Sequence, residues 1–483
     1  MDASTPATPA RALTHKETQL VVLGVLLPVF MGSLDNTILA SALPTIGRNF
    51  GNLHNLPWLI TAYLIANTAV TPLYGKLSDI HGRRFTLLIA VSLYMAGSLV
   101  CALAPTMLVL ILGRILHGLG GGGLTAMGMV VLGDVAAPRD RGRYYGYFSV
   151  TYTTAGACGP ALGGFLAEYL HWSVIFWLNI PLGLAAIALT LTLLRRLPRH
   201  ERPHQLDFIG AALIMTAAVS FMLGLNLGGV RYPWTSPPVM GLFAVSLVIG
   251  IGFVVRLLTA PEPLIPISIL SDPIARCAIM ANAFGWGSIV GLNIFLPMYL
   301  QSVIGFSATT AGLSLMVLMV TLNTSAGISG QIISRAQHYK AVPMAGLVLA
   351  IVSVLTLAWQ AQNLNLWWFE VVLGLIGIGF GATPPLASVA LQNTVAIHHF
   401  GTAIGTMQFT RNLFSTILIA LLGAIVLTGA TTLGPGTTPD LSASTVYNTE
   451  GFVRVFLLSA ASLAVSLVSL ALLEEKPLQA THG

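Results

Sequence analysis

Gly75-Lys-Leu-Ser-Asp79-Ile-His-Gly82-Arg83-Arg84 is a short basic tether between two long apolar runs. A second basic tether, Gly330-Gln-Ile-Ile-Ser-Arg335-Ala-Gln-His-Tyr-Lys340, joins two later runs. If the two tethers correspond, the chain repeats itself as two six-helix halves, with two further helices inserted between them.

Outward from the first tether, apolar runs recur along the whole chain, at about 19–42, 57–77, 84–104, 107–132, 143–169, 173–194, 208–229, 237–259, 275–303, 309–334, 342–361, 366–391, 401–429 and 452–473. Each is near the ~20 predominantly apolar residues that a membrane-spanning helix requires. The runs are continuous and not alternating, which excludes the period-two strands of a membrane β-barrel. Composition agrees: 55% of the 483 residues are hydrophobic and 8% charged, against roughly 25% charged in a soluble domain. The expected fold is therefore all-α and integral to the membrane, with a bundle over 1–200, a linker with two extra helices over 201–262, and a second bundle over 263–483. Only the connections 195–207 and 430–451 are long, and neither has the size of a soluble domain. The 49 glycines suit close helix packing in lipid.

Several function classes fall away. Cys101, Cys158 and Cys277 all lie in apolar runs and suggest neither a disulfide framework nor a metal site. The net charge of +6 sits in short tethers and forms no nucleic-acid patch. Gly120-Gly-Gly-Gly123 lies inside an apolar run and is not a GxxxxGK[ST] nucleotide loop, so no cofactor is expected. A membrane enzyme would need a convergent nucleophile and base, or metal ligands, at matched depth, and none is visible. The polar residues 1–18 lead into a run without a small-residue cleavage site, which reads as a first span and not as a signal peptide.

Lysine and arginine set the orientation. With the N-terminus inside, the inner segments hold 17 of these residues and the outer segments 3, namely Arg48, Arg231 and Arg454. Both termini are then cytoplasmic. Trp58, Trp172, Trp234, Trp367 and Trp368 fall near outer ends, where amphipathic rings prefer to sit.

Six motifs in order resemble the major facilitator superfamily, in particular its fourteen-helix drug/proton antiporter branch. The 75–84 tether looks like the signature between helices 2 and 3, and Arg114-Ile-Leu-His117-Gly118-Leu-Gly120 like the helix 4 motif. Gly156-Ala-Cys-Gly159-Pro160-Ala-Leu-Gly163-Gly164 resembles the helix 5 motif associated with antiporters. Leu34-Asp35-Asn-Thr37 with Ala42-Leu43-Pro44, then Asn179-Ile-Pro181-Leu-Gly183 and Leu296-Pro297-Met-Tyr299-Leu-Gln301, are similar to stretches typical of that branch. His117 departs from the pattern, which usually has glutamine there.

Physical reasons stand beside the resemblance. In the tether, Gly75 permits close packing, Asp79 can hold a helix N-terminus or a basic partner, and Gly82, Arg83 and Arg84 complete a loop able to latch two halves together. A plain orienting loop is the simpler reading. In the helix 5 motif, Pro160 removes a backbone donor, and Gly156, Gly159, Gly163 and Gly164 leave a stripe without side chains, so a bend and a close, sealing helix contact are expected.

Charges at membrane depth each cost several kcal/mol unless paired or wet. Asp35 is about sixteen residues into its span, roughly 24 Å from the inner surface, and Arg114 is about seven residues into its own from outside, roughly 10 Å deep. The two could meet in the outer half of a ~30 Å core. A carboxylate that binds a proton beside an arginine that cannot lose one is a proton-coupling device, or else a permanent packing salt bridge. His117, one turn after Arg114, is either a hydrogen-bonded packing residue or a partner in holding the proton. Arg411 needs a counter-charge or acceptors, with Gln408 on its face; it accepts an anion or serves structure. Candidate substrate contacts are Tyr63, Asn67, Tyr152, Asn282, Trp286, Asn293 and Asn323, each also readable as packing. Spans 7 and 8 carry few polar groups and are expected outside the cavity.

The resemblance implies a proton-coupled exporter of lipophilic small molecules working by alternating access in a bacterial inner membrane, with protons, the substrate and the bilayer as partners and a monomer as the favoured state. A dedicated exporter of one endogenous metabolite shares every motif. A facilitative carrier or symporter of the superfamily would not need the helix 5 pattern.

Overall fold

The computed structural model describes residues 15–50, 55–136, 138–194, 206–229, 231–306, 308–335, 339–361, 366–428, 430–431, 446–447 and 449–476. The connection over 195–205 with Arg195, Arg196, Arg199 and Arg202, most of 430–451, and the chain ends with Arg11 lie outside the described residues.

The chain is helical almost throughout. In order come α1 (His15–Phe50), α2 (Leu56–His81), α3 (Arg83–Ala102), α4 (Met107–Val135), α5 (Pro138–Tyr169), α6 (Val174–Trp177), α7 (Asn179–Leu193), α8 (Phe208–Leu227), α9 (Pro237–Thr259), α10 (Ile267–Ser271), α11 (Pro273–Ser302), α12 (Ala308–Arg335), α13 (Ala341–Gln360), α14 (Leu366–Gly381), α15 (Thr383–Thr394), α16 (Phe400–Thr428) and α17 (Thr449–Leu472). A two-residue antiparallel pairing, Ala430–Thr431 with Val446–Tyr447, is the one sheet among the described residues.

Local chemistry sets several boundaries. Thr106, Asp207 and Asp272 cap α4, α8 and α11 by accepting from the backbone N–H three residues on, which satisfies a donor that the helix itself leaves free. Gly82 ends α2 and starts α3 at φ +85°, a conformation that strains any residue with a Cβ.

Thirteen helical stretches of the described residues are long and apolar enough to cross a membrane. Two of them are composite: α6 with α7 over Val174–Leu193, and α14 with α15 over Trp367–Thr394. The sequence marks fourteen spans, and the additional one is α5. It has 32 residues, ample length, but its charges, tyrosines, threonines and glycines leave it too polar to count by hydropathy.

Helices before α8 pack on one another through small residues. In α4, Gly120 lies against the Tyr94 backbone of α3, Gly121 against the Tyr63 hydroxyl, Gly122 against Asn67 O of α2, and Gly123 against Ala90. Four successive glycines thus let α4 wedge between α2 and α3. After α9, Ser288, Ser462 and Ser466 join α11 to α17 through hydrogen bonds to Ser459 O, Phe284 O and Ala281 O of 2.9, 2.8 and 2.7 Å. Gly377 and Gly381 bring α14 onto the α12 backbone, and Gly346 meets Gly379 between α13 and α14.

Two seams join these groups. Gly75 of α2 lies against Gly401 of α16, and Gly142 of α5 against Gly330 of α12, backbone to backbone in both cases. The extra helices behave differently from each other. α9 is peripheral, with 6% of its most apolar window buried. α8 packs on the bundles, with Ala211, Ile214 and Ala218 against Leu73 of α2 and against Phe409 and Leu413 of α16. Its small side chains fit the seam, and Ser246 to Ala217 O, 2.9 Å, holds α9 on its outer face.

Candidate functional site

The basic tethers and the ends of α2, α4, α12 and α15 share one end of the bundle, here the basic end. Asp79, in the last turn of α2, accepts from Gly401 N (3.0 Å), Thr402 N (2.7 Å) and Thr402 Oγ1 (2.8 Å), capping the start of α16. Arg83 donates to Asp79 Oδ1 (2.6 Å) and, from Nε and Nη2, to both oxygens of Asp134 in α4 (2.6 and 3.2 Å). Asp79 therefore holds a helix terminus and a basic partner together. Arg84 is not part of this network, and its Nε has no hydrogen-bond partner among the described residues.

Sequence reasoning missed further groups at this end. Arg141 donates to Ala136 O and Gly133 O (3.0 and 2.7 Å) and lies 4.9 Å over the Phe400 ring across the seam. Gln392 of α15 donates to Met129 O of α4 at 3.3 Å. The basic end is closed. Toward the opposite end, Gly156 and Gly164 of α5 and Gly312 of α12 have no neighbour within contact distance, and residues 156–158 and 160–162 are exposed.

The helix 5 glycines thus divide. Gly159 and Gly163 abut Thr37, Ile38 and Ser41 of α1, and Thr37 Oγ1 donates to Ala155 O at 3.1 Å. Gly156 and Gly164 touch nothing, so the close contact is a four-residue-spaced pair against α1 and not a continuous stripe. Pro160 stands between the pair and is exposed.

Asp35 on α1 meets Arg114 on α4. Arg114 Nη1 donates to both carboxylate oxygens, at 2.9 and 2.8 Å, and Nε to Leu59 O at 2.9 Å. The Tyr63 ring lies 4.3 Å under the guanidinium. Asp35 is 3% exposed, Arg114 1% and His117 0%. His117 Nδ1 is 2.9 Å from Arg114 Nη1 and 3.6 Å from Asp35 Oδ1. Because a guanidinium only donates, Nδ1 carries a lone pair here and His117 is neutral, with its proton on Nε2. That nitrogen has no partner among the described residues and is walled by Tyr94, Tyr63 and Phe176.

At mid-depth lie Asn67, Tyr152, Trp286 and Arg411, each partly open. Arg411 sits 5.1 Å over the Trp286 ring, and Tyr152 is close enough to feel its charge. Gln408 and Asn282 are buried. Asn293 and Asn323 spend their amide donors on Ile289 O and Met319 O of their own helices, at 2.8 and 2.9 Å. Asn323 lines a groove of about 950 Å³ beside the α5–α12 seam, with Arg143, Tyr147, Thr154 and Gln331. Arg411 and Trp286 do not line it.

The Major Facilitator Superfamily model matches residues 25–420. The chain belongs to this superfamily. It is 30% identical over 414 residues to the Multidrug transporter protein MdtP of Bacillus subtilis, covering 84% of this chain and 75% of that protein. It is 31% identical over 428 residues to the efflux pump dotC of Dothistroma septosporum, covering 86% of this chain and 72% of that one. A bacterial homologue of the iron transporter ferroportin in an outward-facing state superposes with a TM-score of 0.66 at 15% identity, over 94% of this chain and 98% of that one. The superfamily member is a multi-pass transporter of the two-bundle fold, with relatives named as a multidrug transporter and an efflux pump, and not an enzyme.

Proposed function

We propose that the protein exports lipophilic small molecules in exchange for protons, by alternating access between two bundles, residues 1–200 and 263–483. The observation that carries the reading is the Asp35–Arg114 ion pair, buried between α1 and α4 in a bundle closed at one end and open at the other. The basic end faces the cytoplasm of a bacterial inner membrane, as the 17 inner against 3 outer basic residues favour. The conformation described is then outward-open.

Asp35 is ionised in this state, since both its oxygens accept from Arg114. A proton on either oxygen removes the charge that holds α1 to α4, and leaves Arg114 on Leu59 O and His117 Nδ1. Two residues along α1, Thr37 is hydrogen-bonded to α5 and faces Gly159. The other end of α5 carries Gly142 against Gly330. Release of α1 is thereby passed to the seam that closes the basic end, and the latch at Asp79, Arg83 and Asp134 is the part that must let go. In the inward-open state Asp35 loses its proton, substrate loads, and the cycle returns. The bistable element is the rigid bundle, and the proton biases it by its differential affinity for the two states.

The test is substrate-induced proton flux in proteoliposomes across a chemically varied panel. Efflux that alkalinises the compartment supplying protons supports the reading. Equal transport with and without a pH gradient, and no proton movement, rejects it.

A further inference from the structure

Arg411 lies eleven residues into α16 from the basic end, which at ~1.5 Å per residue places it near the middle of the bilayer. A guanidinium there is costly unless it is neutralised or wet. Among the described residues no carboxylate forms an ion pair with it: Asp35 is taken by Arg114, Asp79 and Asp134 by Arg83, and Asp207 by Arg256. Its polar contacts are two long ones, 3.4 Å each, from Nε and Nη2 to Asn412 Oδ1. Arg411 and Trp286 are both partly exposed.

Its surroundings are aromatic. The Trp286 ring is 5.1 Å below the guanidinium, Phe284 and Phe414 meet at a tilt of 60° and 4.7 Å between the same two helices, and Tyr152 of α5, in the other bundle, is an electrostatic neighbour. A partly exposed cation with no carboxylate partner, set over an aromatic ring, is complementary to an apolar ring that carries a carboxylate or sulfonate. The planar fork can take either group with two parallel hydrogen bonds.

We infer that Arg411 and Trp286 form an anion subsite, so that the preferred substrates are aromatic or amphipathic organic anions and not the organic cations. The inference rests on the reading that substrates pass between the bundles. It also gives the cation its counter-charge: Arg411 is paired with the anion while substrate is loaded and hydrated when the site is open to water.

The test uses an isosteric charge series, naphthalene-2-carboxylate, naphthalene-2-carboxamide and naphthalen-2-ylmethylammonium, with the full-length protein. Equilibrium binding is measured first, without a gradient. The carboxylate is expected to bind at least about tenfold tighter than the amide, the worth of a charge-assisted hydrogen bond, and the ammonium weaker than both. Arg411→Gln should erase the preference and Arg411→Lys keep part of it. Equal binding of the three probes, or preference for the ammonium, overturns the subsite whatever the variants do. Gradient-driven uptake is measured separately. Anion preference without proton-driven uptake keeps the subsite and rejects proton-coupled export, whereas proton-driven uptake of the ammonium alone does the reverse.

Discussion

Gly75 and Gly401 meet backbone to backbone, and a Cβ on Gly75 would fall on the carbonyl of Gly401. Gly330 and Gly142 make the same kind of contact at the other seam, second helix of one half against fifth helix of the other. Gly75→Val should therefore open the basic end. Spin labels on Phe85→Cys and Val342→Cys, exposed positions at that end in different halves, should show a longer distance in the Gly75→Val background. An unchanged distance distribution would mean that this contact does not hold the seam.

Asp79 is the asymmetric part of the closure, because the position four residues after Gly330 is Ser334 and not an acid. Asp79→Asn leaves one acceptor oxygen for four donors and removes the ion pair with Arg83. A loss of about 1–3 kcal/mol of closure is expected, up to roughly a hundredfold in the ratio of closed to open basic ends. The same spin-label pair reports it, and turnover should fall because the closed basic end is no longer held.

The proposed proton coupling rests on Asp35. Asp35→Asn should insert and fold, yet lose uphill, pH-driven efflux. Arg114→Lys should be impaired, since a point charge cannot serve Asp35, Leu59 O and His117 Nδ1 together. His117→Gln offers an amide oxygen where Nδ1 now accepts from Arg114, so substantial activity should remain. Normal pumping by Asp35→Asn with a dead His117→Gln would move the proton site to the histidine.

Topology is open to direct test. Reporters fused after Lys476 and within 195–207 should both signal cytoplasm; a periplasmic signal from either would break the orientation and the even number of spans.

Much of this was legible along the chain. Runs of apolar residues carry span number and order, because lipid demands them locally. Depth arithmetic puts Asp35 and Arg114 in one layer, and they are in contact. What could not be read depends on tertiary pairing. Arg141 looks like one more orienting charge in Asp140-Arg141-Gly142-Arg143, and only the closed seam turns it toward Gly133 O and Phe400. Spacing places His117 one turn from Arg114 but does not say which nitrogen faces it. Asn323 and Arg411 both read as mid-span polar residues, yet helix rotation sends the first to the α5–α12 groove and the second over the Trp286 ring. α8 reads as a bland apolar helix, and its small residues acquire meaning only against α2 and α16.

The polarity of α5 has a consequence for how the protein is made. A helix that begins with Arg139, Asp140, Arg141 and Arg143 and continues through tyrosines and threonines gains little by entering lipid alone. It must enter in company. α1 precedes α5 in the chain and offers the Thr37–Ser41 surface that Gly159 and Gly163 fit, so the pair that aligns α5 in the finished transporter is expected also to draw it into the bilayer. Bulky substitutions at these two glycines should accordingly appear first as chains with a misplaced fifth helix, cleared by membrane proteases, and lowered abundance would precede any change in turnover.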